Sequence, residues 1–373
     1  LVAGARPNFM KIAPILRVMD KDYFQSIKPV LVHTGQHYDQ NMSQSFFESL
    51  GIKQPDYNLH VGSGTHADQT AAIMSGFEDV CEQERPDIVV VVGDVNSTIA
   101  AGLVAKKMNM QLAHVEAGLR SGDRSMPEEI NRLATDSITD IFFTTEKQGT
   151  ENLINEGHAK GSIHFVGHVM IDNLYYQLSK LKQKGAAQFV LGLKNRLPEK
   201  YVCMTMHRPS NVDNKKQLQV LLAAVRETAQ DMPVIFPCHP RTRQRIEDFG
   251  LQDVFTDPFA TEDSLQGGIF LLEPLNYNDF LYLWKDAACV LTDSGGLQEE
   301  TTALRIPCIT LRENTERPIT VEQGSNVLAG SDVQKLRDCM QGVREGNFKI
   351  GMLPELWDGK SSERIAEILD SNT

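Results

Sequence analysis

"DIVVVVGD", residues 87–94, runs five apolar residues together and then breaks into a glycine and an acid. A strand with one wet face alternates polar and apolar side chains. An unbroken apolar run marks a strand covered on both faces, as in a parallel sheet sandwiched between helices. An aspartate at its carboxyl end then stands where open α/β sheets bind ligands.

Working outward from this strand, short β-branched runs alternate with longer helical patterns. Strands are expected at 1–3, 29–34, 87–93, 111–115, 141–145 and 163–167, with helices near 9–20, 41–50, 67–84, 97–108, 127–138 and 146–156. "GHVMIDNLYYQLSKLKQKGAAQFVLGLKNRLPEK" then loosens the pattern and reads as an interdomain connection. A second series follows, with strands at 201–206, 233–238, 268–273, 288–293, 307–311 and 326–330. Its helices fall near 214–230, 241–247, 277–285, 295–303 and 332–344. Alternation of this kind predicts doubly wound α/β units. The chain of 373 residues is too long for one ordinary core, so two domains are expected. The first covers 1–170 and the second 171–360. A last helix near 361–371 is able to pack on either.

Hydrophobic residues at 41% and charged residues at 23% are ordinary for a globular chain. A formal charge of −12 argues against nucleic acid or an anionic membrane as the main partner. A small anion held by local arginines remains compatible with it. The six cysteines form no CxxC pair and mostly sit in apolar runs, so they read as buried free thiols suited to a reducing cytoplasm. No apolar run approaches a membrane span. No signal peptide is visible, and the chain starts inside a predicted strand, which leaves room for a few native residues before Leu1.

Polar residues recur at the strand ends. Arg6 and Lys11 follow the first strand, His37 the second, Asp94 the "VVVV" strand and Glu116 the next. In the second series His207 and Arg208, His239 and Arg241, and Asp293 and Ser294 hold the same positions. Two such sheets facing each other would gather these side chains in one cleft. Any single one reads equally well as a cap or a turn bond; the set together points to chemistry.

"TDSGGLQEETTAL" (292–304) has the clearest mechanics. Two glycines let a ligand approach the backbone where a helix opens with free N–H groups, which favour an anion. Glu299 and Glu300 lie one turn in, within reach of sugar hydroxyls. Arg312 and Arg317 in "RENTERPIT" add guanidinium forks suited to phosphate. An ordinary Asp or Ser N-cap gives the same local pattern. Two anion-binding elements close together nevertheless indicate a phosphorylated ligand, a diphosphate by preference. No GxGxxG follows a strand and no GxxxxGK[ST] is present, so neither a nicotinamide cofactor nor a P-loop nucleotide is expected. His33 and His37 straddle a strand end, and Cys203 and His207 would be separated along a strand, so no metal site is expected.

"GARPNFMKIAPI", "TGQHYDQNM", "VVGDVNST", "HVEAGLRSGD…PEEINR", "GHVMIDNL", "MHRPSN", "PCHP", "EPLNYNDFLYLW", "DSGGLQEE" and "TERPIT" occur in that order. Over nearly its full length the chain resembles the non-hydrolysing UDP-N-acetylglucosamine 2-epimerases. The resemblance implies two Rossmann-like domains facing across a cleft (GT-B type), the C-terminal helix returning to the first, and a cytoplasmic homodimer without cofactor. It implies interconversion of UDP-N-acetylglucosamine and UDP-N-acetylmannosamine for polysaccharide synthesis. Hydrolysing relatives carry arginine where this chain has Val95.

By motif match, Asp94, Glu116 and Glu128 become the catalytic carboxylates and His207 the histidine near the diphosphate. Arg6, Lys11, His37 and Arg120 fall among the substrate-binding positions. So do Ser294, Gly295 and Gly296 for the diphosphate, Glu300 for the ribose, Arg317 for a phosphate and Tyr277 beside uracil. This explains why "HVEAGLRSGDRSMPEEINR" (114–132) crowds ionisable groups at a strand end. A solvated helix start with acids in its first turn reads equally well for Glu128, Glu129 and Arg132. Asn8 stands where the family commonly has glutamate, and Pro209 where bacterial members have an arginine of a second, allosteric UDP-sugar site. Such changes also fit another UDP-acetamido sugar, for instance a diacetamido uronic acid. A glycosyltransferase of the same architecture and a non-catalytic UDP-sugar sensor are the remaining alternatives.

Overall fold

A computed structural model describes residues 1–24, 26–35, 44–259 and 263–372. They divide into two compact units, 1–175 with 355–373, and 176–354. Every strand pair is parallel.

The first unit holds β1 (Val2–Ala3), β2 (Val32–His33), β3 (Tyr57–Asn58), β4 (Ile88–Val92), β5 (Gln111–Val115), β6 (Ile141–Thr144) and β7 (Ile163–Phe165). Hydrogen bonding joins β1-β2-β3 and, separately, β4-β5-β6-β7, and β1 lies beside β4. The order is therefore 3-2-1-4-5-6-7, which reverses direction at β1 and β4. The four valines of β4 show why the run is unbroken. Val90 and Val92 pack into a core with Phe9, Ile12 and Phe143, while Val89 and Val91 enter a second core with Phe77, Val104 and Leu112. All four are buried, so each face of the strand is stabilised by about 1.5–3 kcal/mol per side chain removed from water.

The second unit holds β8 (Val202–Thr205), β9 (Val234–Pro237), β10 (Phe255–Thr256), β11 (Ile269–Leu272), β12 (Cys289–Thr292), β13 (Cys308–Thr310) and β14 (Asn326–Leu328). Among the described residues the order is β10-β11-β9-β8-β12-β13-β14, reversing at β8 and β12. The helix Val169–Lys184 carries the chain from one unit into the next. In the first unit the helix Ser361–Asp370 packs on the helix Arg6–Met19. Asp172 accepts the backbone N–H groups of Ser361 and Ser362, at 3.2 and 2.6 Å, and so caps that last helix.

β3 and β10, each two residues long, were not expected from the sequence. Cys81, Cys203, Cys238, Cys289 and Cys308 are buried, Cys339 is half-buried, and all six are unpaired. Among the described residues no helix is long and apolar enough to cross a membrane.

His33, at the end of β2, is buried against the edge of the Phe9 ring. Burial, and then the nearby His60, push it from 6.5 down to about 4. The unfolded chain therefore takes up this proton before the folded one does. The stability involved is complete above pH 6.5 and is lost as pH falls toward about 4. Urea midpoints measured across that window should fall more steeply for the native chain than for His33→Gln. Equal slopes would remove His33 as the cause.

Candidate active site

In a doubly wound sheet the crevice opens where the strand order reverses. In the first unit that point is β1 and β4, and both carry candidate residues. Arg6 opens the helix after β1, exposed and stacked over the Phe46 ring at 5.1 Å. Two residues on, Asn8 is buried. Its Oδ1 accepts the Ala5 N–H at 3.0 Å and its Nδ2 donates to the Val92 carbonyl at 3.2 Å. Here the side chain ties the helix start to the end of β4.

Lys11 pairs with the buried Glu116 carboxylate. Gly93 lies between them: a Cβ placed there would stand 3.3 Å from Lys11 Nζ, 3.6 Å from Asn8 Nδ2 and 3.8 Å from Glu116 Oε2. Glu116 itself has φ +69°. The N–H groups of Glu116 and Ala117 both donate to the Phe143 carbonyl, at 3.0 and 3.1 Å. A left-handed glutamate costs about 1–3 kcal/mol, and residues held this way concentrate at functional sites.

Asp94, the next residue, is partly exposed and held by Arg132 Nη2 at 2.5 Å. Arg132 Nη1 also donates to Glu129 at 2.8 Å. Glu129 in turn accepts the Ser121 and Gly122 backbone N–H groups, at 3.0 Å each. Burial alone would push Glu129 up, but these bonds and Arg132 hold it below its usual range. The loop 119–126 is thereby strapped to the helix Pro127–Ile138. Glu128, in the first turn of that helix, is exposed. Arg120 is engaged on two sides, with Asp136 at 2.7 Å and Glu156 at 2.6 Å. His37 lies outside the described residues.

In the second unit the reversal point joins His207 and Asp293. His207 Nδ1 lies 2.9 Å from Asp293 Oδ1. The other carboxylate oxygen accepts the backbone N–H groups of His207 and Arg208, at 2.9 and 2.8 Å, and Asn211 Nδ2 at 3.1 Å. Burial would raise Asp293, yet His207 and these donors hold it below the usual carboxylate range. The carboxylate thus fixes the imidazole from beneath.

Ser294 precedes the helix Gly295–Leu304 and gives it no side-chain cap bond. A Cβ at Gly295 or Gly296 would meet nothing within 4 Å. The first turn is therefore open, its N–H groups ready for an anion. Glu299 pairs with Arg317 Nε, and Tyr277 Oη donates to Glu300 Oε1 at 2.5 Å. Burial, and Glu300 beside it, push the phenol well above its ordinary range, so it remains the donor.

Thus Lys11, Glu116 and Asp94 collect at one reversal point, with Arg6 at the helix start beside them. Ser294, Gly295, Gly296 and His207 collect at the other, with the pairs Tyr277–Glu300 and Arg317–Glu299 one turn into the same helix. In the first unit, Asp136 and His114 were not singled out by the sequence, and Arg132, read there as part of a solvated helix start, instead pairs with Asp94. Glu129, Arg132 and Asp136 fall on the buried face of their helix while Ile130 is exposed, the reverse of ordinary amphipathic spacing.

Solved structures share this fold across nearly the whole chain. The UDP-GlcNAc 2-epimerase of Methanocaldococcus jannaschii, in complex with UDP-GlcNAc and UDP, matches with a TM-score of 0.79 at 41% identity, covering 99% of this chain and 98% of that one. The α/β, GT-B-type class expected from the sequence is that of these neighbours. Residues 21–370 match the family described as UDP-N-acetylglucosamine 2-epimerase, and the chain belongs to that family. The enzyme of that name from Methanocaldococcus jannaschii is 41% identical over 371 residues, 99% of this chain and 98% of its own length. The UDP-2,3-diacetamido-2,3-dideoxy-D-glucuronate 2-epimerase of Pseudomonas aeruginosa is 36% identical over 376 residues, 99% of this chain and 98% of its own.

Proposed function

We propose that this chain is an enzyme that inverts carbon 2 of UDP-N-acetylglucosamine, giving UDP-N-acetylmannosamine. The carbon 2 hydrogen is not α to a carbonyl, so a carboxylate cannot remove it directly at reasonable cost. Breaking the carbon 1–oxygen bond to UDP first builds positive charge at carbon 1 and acidifies its neighbour. A carboxylate takes the proton, the C–H electron pair becomes the ring double bond, and UDP departs with the electrons of its own bond. Reprotonation of carbon 2 from the opposite face and return of a UDP oxygen to carbon 1 complete the exchange.

Asp94, Glu116 and Glu128 of the first domain are the proton-handling set and brace the charged sugar. Arg6, Lys11, His37 and Arg120 orient or neutralise it. The second domain grips UDP through Ser294, Gly295 and Gly296 at the diphosphate, Arg317 at a phosphate, Glu300 at the ribose and Tyr277 at uracil, with His207 near the leaving group. The two compact units serve as these domains. The enzyme works as a homodimer in the cytoplasm, serves polysaccharide synthesis and needs no cofactor.

The observation that carries this reading is full-length membership of the family together with the strained, buried Glu116 beside Lys11 at a strand-order reversal. Incubation with UDP-N-acetylglucosamine in deuterium oxide should place deuterium on carbon 2 of both sugars. The Pseudomonas relative and Asn8 favour a second reading, in which the substrate is UDP-2,3-diacetamido-2,3-dideoxyglucuronate. Exchange into that sugar alone would select it, and exchange into neither would end both readings.

A further inference from the structure

His114 lies in β5 with its side chain wholly buried, and both ring nitrogens face acceptors. Nε2 donates to the Gly93 carbonyl at 2.8 Å, and Nδ1 lies 2.7 Å from Asp136 Oδ1. Asp136 Oδ2 accepts the Gly118 N–H at 3.0 Å and lies 2.7 Å from Arg120 Nη2. Burial would push Asp136 up, but His114 and Arg120 hold it below its usual range. The Gly93 carbonyl can only accept, so Nε2 carries the proton of that bond. Buried ionic chains of this kind add little net stability compared with well-packed apolar side chains.

The contacts instead fall beside the residues proposed to carry the chemistry. Gly93 precedes Asp94, and Gly118 lies two residues after Glu116. One imidazole, with the aspartate behind it, therefore clamps the turns after β4 and β5 from below. We propose that His114 is a positioning residue, which through Gly93 and Asp136 sets where the Asp94 and Glu116 carboxylates stand. The inference rests on the epimerase reading above. His114 touches no substrate and transfers no proton.

The test uses the full chain, UDP-N-acetylglucosamine as substrate, carbon 2 deuterium exchange and a separate UDP titration. His114→Phe keeps a flat ring and removes both nitrogens and their bonds. Its kcat should fall about 100-fold with KM and UDP affinity within about threefold, since a catalytic group displaced by an ångström costs that much. Gln can place an amide N–H where Nε2 stands, so His114→Gln should recover at least about tenfold of that loss. Native kcat in His114→Phe, no recovery in His114→Gln, or UDP affinity lost in step with kcat would each overturn the role.

If His114→Phe does not fold, Asp136→Asn carries the prediction through the other bond. Its kcat should drop about tenfold at unchanged KM, and an unchanged kcat overturns the proposal. Absence of exchange by the native chain is a different result, because it removes the epimerase reading and this role with it. Ring ¹⁵N shifts at neutral pH read the Nε2 bond to Gly93 independently of turnover. A proton on Nε2 supports the clamp, and a bare Nε2 overturns it.

Discussion

Glu116→Gln should lower kcat by about 100- to 10,000-fold, the range that a positioned acid or base supplies, while UDP binds nearly as before. The amide keeps the size of the carboxylate and tolerates the same backbone angle of φ +69°. What it loses is the capacity to hold a proton and the negative charge that partners Lys11. The residues proposed to grip UDP belong to the other unit, so titration with UDP should return an affinity within a few-fold of native. Loss of exchange at unchanged affinity places Glu116 in the transition state. If affinity and rate fell together, its pairing with Lys11 would be holding structure instead.

The second large effect concerns stability. Gly118 and Gly122 have nearly the same backbone, φ +77° and +74°, four residues apart. A Cβ on Gly122 would meet nothing within 4 Å, whereas one on Gly118 would stand 2.2 Å from the Gly149 carbonyl oxygen and 2.8 Å from its carbon. The obstruction is backbone and cannot swing aside. Gly122→Ala should therefore cost only the left-handed strain, about 1–2 kcal/mol. Gly118→Ala should add overpacking of about 1–3 kcal/mol or more, lowering the melting temperature by roughly 5–15 °C for a unit of this size. Thermal melts of the two variants give the comparison directly. Equal shifts would mean that the 146–150 turn yields, and that Gly118 is chosen for its φ alone.

Much of this fold was legible because doubly wound sheets write themselves in apolar runs. "DIVVVV" predicted a strand covered on both faces, and its valines do enter two cores in alternation. The helix at 127–138 was placed to the residue because Pro127 fixes its start. Its role was harder to read. Glu128 and Glu129 are adjacent acids in one first turn, yet Glu128 is exposed while Glu129 is buried with Arg132 and the loop behind it. Only the facing of the helix separates them, and that depends on partners 7 and 8 residues upstream. His114 was hidden for a related reason. Inside an apolar strand a histidine reads as filler until the acceptors on either side of it are known.

The helix Pro127–Ile138 turns Glu129, Arg132, Thr135 and Asp136 inward and leaves Ile130 48% exposed. Part of this interior is thus assembled from ions and directional bonds where hydrocarbon would cohere as well or better. A screen for heat resistance alone would favour greasing these positions, and an apolar residue at 132 would free Asp94 from its guanidinium. If Asp94 has its proposed role, durability and turnover are opposed at Arg132, and a hardier variant drawn from it would come out idle.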